Sequence, residues 1–412
     1  MFKLICNAVG VDWVEVVEWN NESEVLQETG LKESDRLDII DPVETRWVGR
    51  QALIAELINK LQAECRILSL MGITGIGKTS LAARLSVDME LRQTFPILKV
   101  VNFDQQPPNF EVVVKCLVGE TVAADKELQK QPEKLVMIAV GALRSHPCLL
   151  VLDMAEALLS TISDGMHDFL EPAFKQFLEQ ILKVDRMPSR VVLTSQYRIP
   201  TLAEGRYSGS RQEFMDLKGL SESEALDLFQ AWDICPEEKE LELLKRIIHV
   251  YEGHPLALRV IAGDIRSLPF AGDVQAYWKE YGQEIEDVER MQNSSAPKNK
   301  GDRPRLDRYS LSLEDLVRQR VESTFKRLYQ SSRLAYLMIC MISEYRCAVE
   351  KKACLIMIED LCSEEEAKSA FLTLQRRFLL ETEQNTDKKT LYRLHSIIRR
   401  VALDHLDKLE DE

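Results

Sequence analysis

Residues 72–80 have the sequence Gly72-Ile73-Thr74-Gly75-Ile76-Gly77-Lys78-Thr79-Ser80. The apolar run before them, residues 66–71, is typical of a buried strand, and residues 81–85 are typical of a helix. The spacing G-x-x-x-x-G-K-T between a strand and a helix is the P-loop pattern. It predicts a phosphate-binding loop, and the alternative is a glycine-rich turn that binds nothing.

Each residue type in this loop suits the binding of a phosphate. Glycines let the backbone wrap closely round the phosphate with several N–H groups pointing inward, and the helix that follows adds the positive end of its dipole. Lys78 supplies a point charge for the β- and γ-phosphates, and the Thr79 hydroxyl can ligate Mg²⁺. We therefore expect ATP or ADP with Mg²⁺ as cofactors. The expected contacts come from Thr74, Gly75, Ile76, Gly77, Lys78, Thr79 and Ser80.

Composition excludes several classes of protein. The 412 residues are 45% hydrophobic and 29% charged, which is ordinary for two to four globular domains. A net charge of −14 argues against a general nucleic-acid surface. No apolar run has the length of a transmembrane helix, and the N-terminus lacks the layout of a signal peptide. Nine cysteines without a C-x-x-C pair indicate neither a zinc ribbon nor a redox motif, so the expected location is a reducing cytoplasm.

A strand ending in an acid follows the P-loop. Four apolar residues lead directly into Asp153, whose carboxylate can orient Mg²⁺ beside the P-loop as a Walker-B element or can cap a helix. Many ATPases have a second acid next, which polarises the attacking water, but this chain has Met154. Glu156 can take that role or be a first-turn acid of the next helix. The sequence therefore predicts slow hydrolysis at best, with Lys78, Asp153 and Glu156 as catalytic candidates and Thr79 and Asp153 as Mg²⁺ ligands.

Alternating strands and helices predict a three-layer α/β P-loop domain with a parallel sheet. The expected strands are 66–71, 97–103, 146–153, 189–196 and a short segment around Phe214. The strand at 189–196 ends in Thr194, Ser195 and Gln196, and such polar groups beside a Walker-B strand can sense the γ-phosphate.

From Ser221 the pattern indicates helices only. Ser221–Glu224 is a capping box, and one helix ends at Gly253 while another begins at Pro255. Two short segments flanking the polar turn Gln384–Lys388 predict a hairpin after helices, which is the layout of a winged helix. A winged helix often binds DNA, but the acidic chain and the position after an NTPase favour an internal packing and switching domain.

Five segments are predicted from these patterns. They are an N-terminal helical remnant and linker at 1–42, a P-loop α/β domain at 43–218, a helical domain at 219–285, a linker at 286–308 and a winged-helix domain at 309–412.

The ordered motifs resemble the NB-ARC group of STAND nucleotide-switch ATPases, in its bacterial form, over residues 43–405. The motifs that carry this resemblance are Arg46–Arg50, Gly72–Thr79, Leu149–Asp153, Val191–Gln196, Gly253–Leu256 and Leu394–Ser396. Their order and spacing together are more specific than any one of them.

The resemblance implies a three-part module in which the α/β domain holds the nucleotide and the winged helix closes over it. In relatives, the segment matching Val48, Gly49 and Arg50 lines the adenine and ribose. The proline matching Pro255 packs on the adenine. The histidine matching His395 reaches the β-phosphate of bound ADP and locks the closed state.

Three departures from the family pattern concern hydrolysis more than binding. Plant members have a second acid where this chain has Met154 and an arginine where it has Gln196, and Ser396 replaces the usual aspartate after the histidine. The first residues resemble the end of a small helical domain, and most relatives continue beyond the winged helix into sensing repeats. We therefore expect either partners that supply these parts or a truncated form.

Three functions fit these observations. The first is an ATP/ADP-dependent switch in signalling or defence that self-associates with ATP and acts with unknown sensor or effector proteins. The second is a winged-helix transcription regulator controlled by nucleotide, and the third is a truncated nucleotide-binding scaffold. Salt-dependent DNA binding separates the second from the first, and size exclusion with ATP and ADP separates the first from the third.

Overall fold

The computed structural model describes residues 47–123, 126–163, 166–199, 210–294, 306–384 and 389–411. The described residues all fall in one unit of the chain, Arg36–Glu412. The predicted N-terminal unit at 1–42 and Arg46 of the first motif lie outside the described residues.

The α/β part alternates strands with helices, as the sequence predicts. Its strands are β1 (Ile67–Met71), β2 (Ile97–Asn102), β3 (Cys148–Asp153), β4 (Leu159–Ser163), β5 (Met166–Phe169), β6 (Arg190–Ser195) and β7 (Gln212–Asp216). Its helices are α1 (Gln51–Gln62), α2 (Lys78–Ser86), α3 (Met89–Thr94), α4 (Phe110–Val118), α5 (Glu120–Ala123), α6 (Lys126–Gln129), α7 (Pro132–Ser145) and α8 (Pro172–Lys183). A 3₁₀ turn at Ala155–Leu158 follows β3.

Five strands form a parallel sheet in the order β2-β3-β6-β1-β7. β1 pairs with β6 on one side and β7 on the other, and β3 lies between β6 and β2. Because all of these pairs are parallel, the carboxyl ends of the strands meet at one edge. The P-loop after β1, Asp153 at the end of β3 and Thr194 near the end of β6 therefore lie together.

The side chains of the strands alternate between two apolar cores. On β1, Ile67 lies in one core and Leu68 and Leu70 lie in the other. The first core includes residues of α4, α7 and α8, and the second includes residues of α1, α2 and α3. Helices on both faces of a parallel sheet are the predicted three-layer arrangement, which the structure confirms.

The sequence pattern does not predict the two-stranded antiparallel sheet β4–β5. The segment contains Ser160, Thr161 and Ser163 between scattered apolar residues. It therefore lacks the regular alternation that indicates a half-buried strand.

After β7 the chain is mostly helical. Its helices are α9 (Glu222–Ala231), α10 (Glu238–Val250), α11 (Pro255–Arg266), α12 (Val274–Ser294), α13 (Leu306–Ser331), α14 (Arg333–Ile342), α15 (Lys351–Ile356), α16 (Glu364–Arg376) and α17 (Ser396–Asp411). The predicted capping box is present, because the Ser221 hydroxyl accepts the Glu224 N–H while the Glu224 carboxylate accepts the Ser221 N–H. None of the described helices combines the length and apolar character that crossing a bilayer requires.

Three short strands accompany these helices. They are β8 (Val349–Glu350), β9 (Glu381–Gln384) and β10 (Thr390–Arg393), in an antiparallel sheet of order β8-β10-β9. The pairing of β9 with β10 confirms the predicted hairpin, whose turn residues 385–388 lie outside the described part. The winged-helix assignment itself stays a prediction.

A single apolar core runs through the helical part from Leu220 to Leu406. The predicted helical and winged-helix domains therefore contribute to one core. Within the predicted linker at 286–308, residues 286–294 are helical instead, because Val288 on α12 packs against this core. Residues 306–308 are the first turn of α13, and residues 295–305 lie outside the described ranges.

Candidate functional site

The loop between β1 and α2 has the backbone that its glycines predict. Gly72, Gly75 and Gly77 have positive φ angles of 146°, 81° and 96°. A Cβ atom at Gly75 would lie 2.9 Å from Cε1 of His254, so a larger residue does not fit. α2 begins at Lys78 without a side-chain cap. The first N–H groups of α2 are therefore free to bind an anion.

Lys78 is buried within this loop. Its Nζ donates to the carbonyl oxygens of Gly72 at 2.9 Å and Ile73 at 3.1 Å. Burial lowers the pKa of Lys78, and the carboxylates of Glu156 and Asp153 oppose that change. Both carboxylates therefore lie within electrostatic range of the ammonium group.

Asp153 receives hydrogen bonds from three neighbouring elements. Thr79 Oγ1 on α2 donates to its Oδ1 at 2.8 Å, Thr194 Oγ1 on β6 donates to the same oxygen at 2.5 Å, and Asn102 Nδ2 on β2 donates to Oδ2 at 3.2 Å. Burial raises the pKa of Asp153, and the bonds from Thr194 and Thr79 lower it. This network fixes the carboxylate beside the first turn of α2.

The donor set at Asp153 fits the Mg²⁺ that the sequence predicts. Thr79 and Asp153 offer oxygen ligands that are already in contact, and magnesium in nucleotide sites is held by few protein oxygens together with the phosphates. No group of three or more His, Cys, Asp or Glu side chains suited to a metal occurs in the described part of the chain. The fit therefore requires a bound nucleotide to complete the ligands.

Glu156 returns to the same edge of the sheet through an unusual turn. Met154 has a left-handed backbone, with φ of 58°, and its N–H donates to Thr194 Oγ1 at 2.9 Å. Gln196 Nε2 donates to Glu156 Oε1 at 2.9 Å, and Glu156 Oε2 is buried without a partner. Burial raises the pKa of Glu156. The structure therefore pairs Glu156 with Gln196, one of the residues that depart from the family pattern, and it leaves one carboxylate oxygen unbonded.

Arg50 donates a hydrogen bond to the backbone of the P-loop. It has a left-handed backbone, with φ of 59°, at the start of α1. Its Nη2 donates to the carbonyl oxygens of Ile76 at 2.7 Å and Lys218 at 2.9 Å, and its N–H donates to the Glu224 carboxylate. The guanidinium is thus committed to protein carbonyls, and the nearby Val48 and Gly49 are half-buried.

His254 is a buried residue to which sequence reasoning assigns no role. Its Nε2 lies 3.0 Å from the carbonyl oxygen of Thr74, and its Nδ1 accepts the N–H of Ala257 at 3.3 Å. These two contacts require a neutral ring with its proton on Nε2. Burial lowers the pKa of His254 to about 3. His254 therefore caps α11 and ties it to the P-loop, and its position directly before Pro255, a residue favoured at the start of a helix, is the signal that could have identified it.

His395 approaches from the C-terminal part. Its Nδ1 accepts the N–H of Ile397 at 3.3 Å at the start of α17, so the ring proton lies on Nε2, which can donate to another group. Burial lowers the pKa of His395 to about 4, Glu381 opposes this, and the positive charge of Lys78 adds to it. His395 thus lies in electrostatic range of the P-loop lysine.

Arg393 is a second residue that sequence reasoning missed. Its Nε lies 3.1 Å from Oε2 of Glu381, and its positive charge lowers the pKa of both Asp153 and His395. Residue 196 is glutamine in this chain, where plant members of the family have an arginine. β10 nevertheless brings the Arg393 guanidinium near Asp153. Its place at the end of β10, two residues before His395, is the available signal.

The other predicted contacts lie nearby. Pro255 follows His254 as the first residue of α11, and Ser80 lies in the first turn of α2.

The buried His254 predicts a specific pH dependence of stability. Because its folded-state pKa of about 3 is below its ordinary value of 6.5, only the unfolded chain takes up this proton as the pH falls below 6.5. The stabilisation is complete above pH 6.5 and declines toward pH 3. His254→Asn keeps a capping side chain but does not titrate, so we expect wild type to lose about 2 kcal/mol more than this variant between pH 7 and pH 5.

Urea unfolding at the two pH values measures this difference. His146 is exposed, so His146→Asn serves as the control and should retain the wild-type pH dependence. Equal pH dependence of wild type and His254→Asn would contradict the buried, neutral histidine.

Comparison with known proteins gives one matching family model and several similar proteins. Residues 42–200 match the model of the family Novel STAND NTPase 1. The chain is 25% identical over 293 residues to an uncharacterized WD repeat-containing protein of Nostoc sp., covering 67% of this chain and 23% of that protein. It is 24% identical over 369 residues to the disease resistance protein RPP13 of Arabidopsis thaliana, covering 85% and 39%. The chain spans less than half of the length of each relative.

The fold is similar to one solved STAND structure. This is a signal transduction ATPase with numerous domains and a tetratricopeptide repeat sensor from Pyrococcus horikoshii, with a TM-score of 0.52 and 15% identity over 89% of this chain and 43% of that one. At this identity the likeness shows the fold alone. Together with the family match, it confirms the resemblance to STAND NTPases that the motif order predicts.

Proposed function

We propose that this chain is an ATP/ADP-dependent molecular switch, closed with ADP and open or oligomeric with ATP, which acts in signalling or defence in the cytoplasm. The observation that carries the proposal is the convergence of three parts of the chain on one loop. Lys78 belongs to the α/β part, His254 to the helical part and His395 to the C-terminal part. A ligand bound in this loop would contact groups whose relative positions depend on the conformation.

Close packing between α11 and the segment after α16 supports the closed arrangement. A Cβ atom at Gly263 would lie 2.1 Å from the carbonyl oxygen of Arg377, so only glycine allows this approach. Arg259 Nη2 donates to the carbonyl oxygen of Leu380 at 2.9 Å. These contacts hold β9 against α11, whose first turn contacts the P-loop through His254. The hairpin that leads to His395 lies there with it.

A switch needs a ligand that binds one conformation better than another. The expected β-phosphate contact of His395 exists only while the C-terminal part is closed over the P-loop. Lys78 and Thr79 lie on the α/β part and bind phosphate in either conformation. ADP therefore favours the closed state through His395, and the nucleotide stays bound through the P-loop when the chain opens.

Hydrolysis would depend on Glu156. Mg²⁺ would be held by Thr79 and Asp153 and would neutralise phosphate charge. Gln196 fixes one oxygen of Glu156, and the unbonded Oε2 can accept a proton from the attacking water. The second acid that many ATPases have directly after the Walker-B aspartate is Met154 in this chain, which supports slow turnover, well below about 10 s⁻¹.

Glu156→Gln tests this assignment. The amide keeps the size of the side chain but removes the base, so ATP hydrolysis should fall by about a hundredfold or more while ADP affinity is unchanged. Because ATP then persists, light scattering should show a larger fraction of open or oligomeric chains with ATP than with ADP. Glu133 is exposed on α7, and Glu133→Gln should match wild type in both measurements.

Two results would contradict the proposal separately. An unchanged hydrolysis rate in Glu156→Gln would exclude Glu156 as the base. An identical mass and shape of this variant with ATP and with ADP would favour a nucleotide-binding scaffold over a switch.

A further inference from the structure

Three arginines converge on one buried aspartate where α11 meets α13 and α16. The Asp264 carboxylate accepts hydrogen bonds from Arg320, from Arg327 at 2.7 Å and from Thr324 at 3.1 Å, and Arg377 Nη1 lies 3.5 Å from its other oxygen. The four charged side chains are all at least nine-tenths buried. Asp264 alone cannot neutralise three guanidinium groups.

Among the described residues, one further acid joins this network, and one positive charge stays in excess. Glu284 on α12 pairs with Arg327 and, at 3.5 Å, with Arg320. Three guanidinium groups therefore face two carboxylates. Arg377 carries the excess, because its contact with Asp264 is the longest, its Nη2 donates to the neutral hydroxyl of Ser331 at 3.1 Å, and its Nε is buried without a partner. A buried charge of this kind is unfavourable unless something compensates it.

A cavity of about 170 Å³ opens beside this charge. Its lining combines the polar residues Asp264, Arg327, Gln330, Ser331 and Arg377 with Leu268, Pro269, Phe270 and Tyr281. The Arg327 guanidinium lies 3.6 Å from the centre of the Tyr281 ring, which holds it in place. A cavity of about 150 Å³ is large enough for benzene, so a small organic molecule fits here.

We propose that this cavity binds a small organic anion whose carboxylate neutralises Arg377 and whose apolar body packs against Phe270 and Tyr281. A carboxylate can accept hydrogen bonds from the Arg377 guanidinium, which lines the cavity, and the Ser331 hydroxyl can donate to it. A phosphate offers similar oxygens, but a single excess charge matches a carboxylate.

This site is separate from the nucleotide site. Asp264 lies near the far end of α11 from Pro255, about 13 Å along the helix axis. The inference does not rest on the proposed switch, since it uses only the charges and the cavity. The ligand would nevertheless bridge Arg327 on α13 and Arg377 after α16, and would thereby strengthen the joint between them and α11.

Calorimetric titration of the full chain, saturated with ADP so that the P-loop is not the acceptor, tests the inference. Benzoate should bind saturably, its neutral analogue benzamide should not, and phenyl phosphate tests the competing oxyanion. Arg377→Gln should fold, because Arg320 and Arg327 remain balanced by Asp264 and Glu284, and its benzoate affinity should fall at least tenfold.

Two further variants complete the test. Ser331→Ala removes only a hydroxyl and should weaken benzoate binding several-fold, which keeps the test decisive if Arg377→Gln is unstable. Arg318, exposed on α13 and paired with Asp404, provides the control Arg318→Gln, which should bind as wild type does.

Three outcomes would overturn the inference. They are no binding of either anion at millimolar concentration, equal binding of benzamide, or wild-type benzoate affinity in both Arg377→Gln and Ser331→Ala. Tighter binding of phenyl phosphate, lost in the same variants, would support the anion site with a phosphate ester as its ligand.

Discussion

Lys78→Ala is expected to abolish detectable binding of ATP and ADP. Lys78 is buried in the P-loop, where its Nζ is held by the carbonyl oxygens of Gly72 and Ile73. Hydrogen bonds to charged groups contribute about 1.5–3 kcal/mol each, and their screening by water is weak at a buried site. If Lys78 donates two such bonds to phosphate oxygens of the nucleotide, their loss corresponds to an affinity at least about a hundredfold lower.

Calorimetric titration with each nucleotide measures this loss. Lys175 is exposed on α8, so Lys175→Ala controls for the removal of a positive charge and should bind as wild type does. Wild-type affinity in Lys78→Ala would exclude the P-loop as the nucleotide site.

His395→Ala is expected to release ADP about ten to a hundred times faster than wild type. This is the effect of losing one hydrogen bond to a charged phosphate, about 1.5–3 kcal/mol, and it acts only in the closed state. Complete inversion of a two-state protein requires about 5.5 kcal/mol, so the variant should raise the open fraction without emptying a strongly favoured closed state. ATP binding through Lys78 and Thr79 should survive.

The capping bond of His395 must be separated from this effect. Its Nδ1 accepts the N–H of Ile397, and losing a helix cap costs about 0.5–2 kcal/mol with or without nucleotide. His395→Asn keeps a capping acceptor but has no ring to reach the phosphate. If the switch role is real, both variants release ADP faster and only the alanine variant loses stability without ADP. An unchanged ADP dissociation rate in both would leave His395 as a cap alone.

The elements of the α/β part could be predicted because their signals are local. The apolar runs before Gly72 and before Asp153 each predict a buried strand. The glycines at 72, 75 and 77 predict the turn between β1 and α2. The parallel order of the sheet then brings Thr79, Asp153 and Thr194 to one edge. The resemblance to STAND NTPases, confirmed above, rests on the order of such local motifs.

The missed residues act through contacts between distant parts of the chain. His254 bonds to Thr74, which lies 180 residues away in the sequence, and Asn102 meets Asp153 only because β2 and β3 are neighbours in register. Arg393 lies near Asp153 only through the packing of the C-terminal hairpin. The predicted linker starts too early because residues 286–294 are polar apart from Val288 and Met291. Only the contact of Val288 with the core shows that α12 continues.

Glu156 is the clearest example of a residue whose role could not be predicted from the sequence. The sequence leaves open whether it is a base or a first-turn acid. The turn at Met154 and the bond from Gln196 orient it toward Lys78 and Asp153, and neither feature has a signature in the sequence, since a left-handed methionine is uncommon.

The nucleotide carried by the purified chain tests the central claim most directly. The wild-type protein, isolated without added nucleotide, is denatured, and the released bases and phosphates are identified and counted against the protein concentration. We predict ADP at close to one molecule per chain, and none from Lys78→Ala. The absence of any adenine nucleotide from the wild-type chain, together with no binding of added ADP, would contradict a switch held closed by ADP.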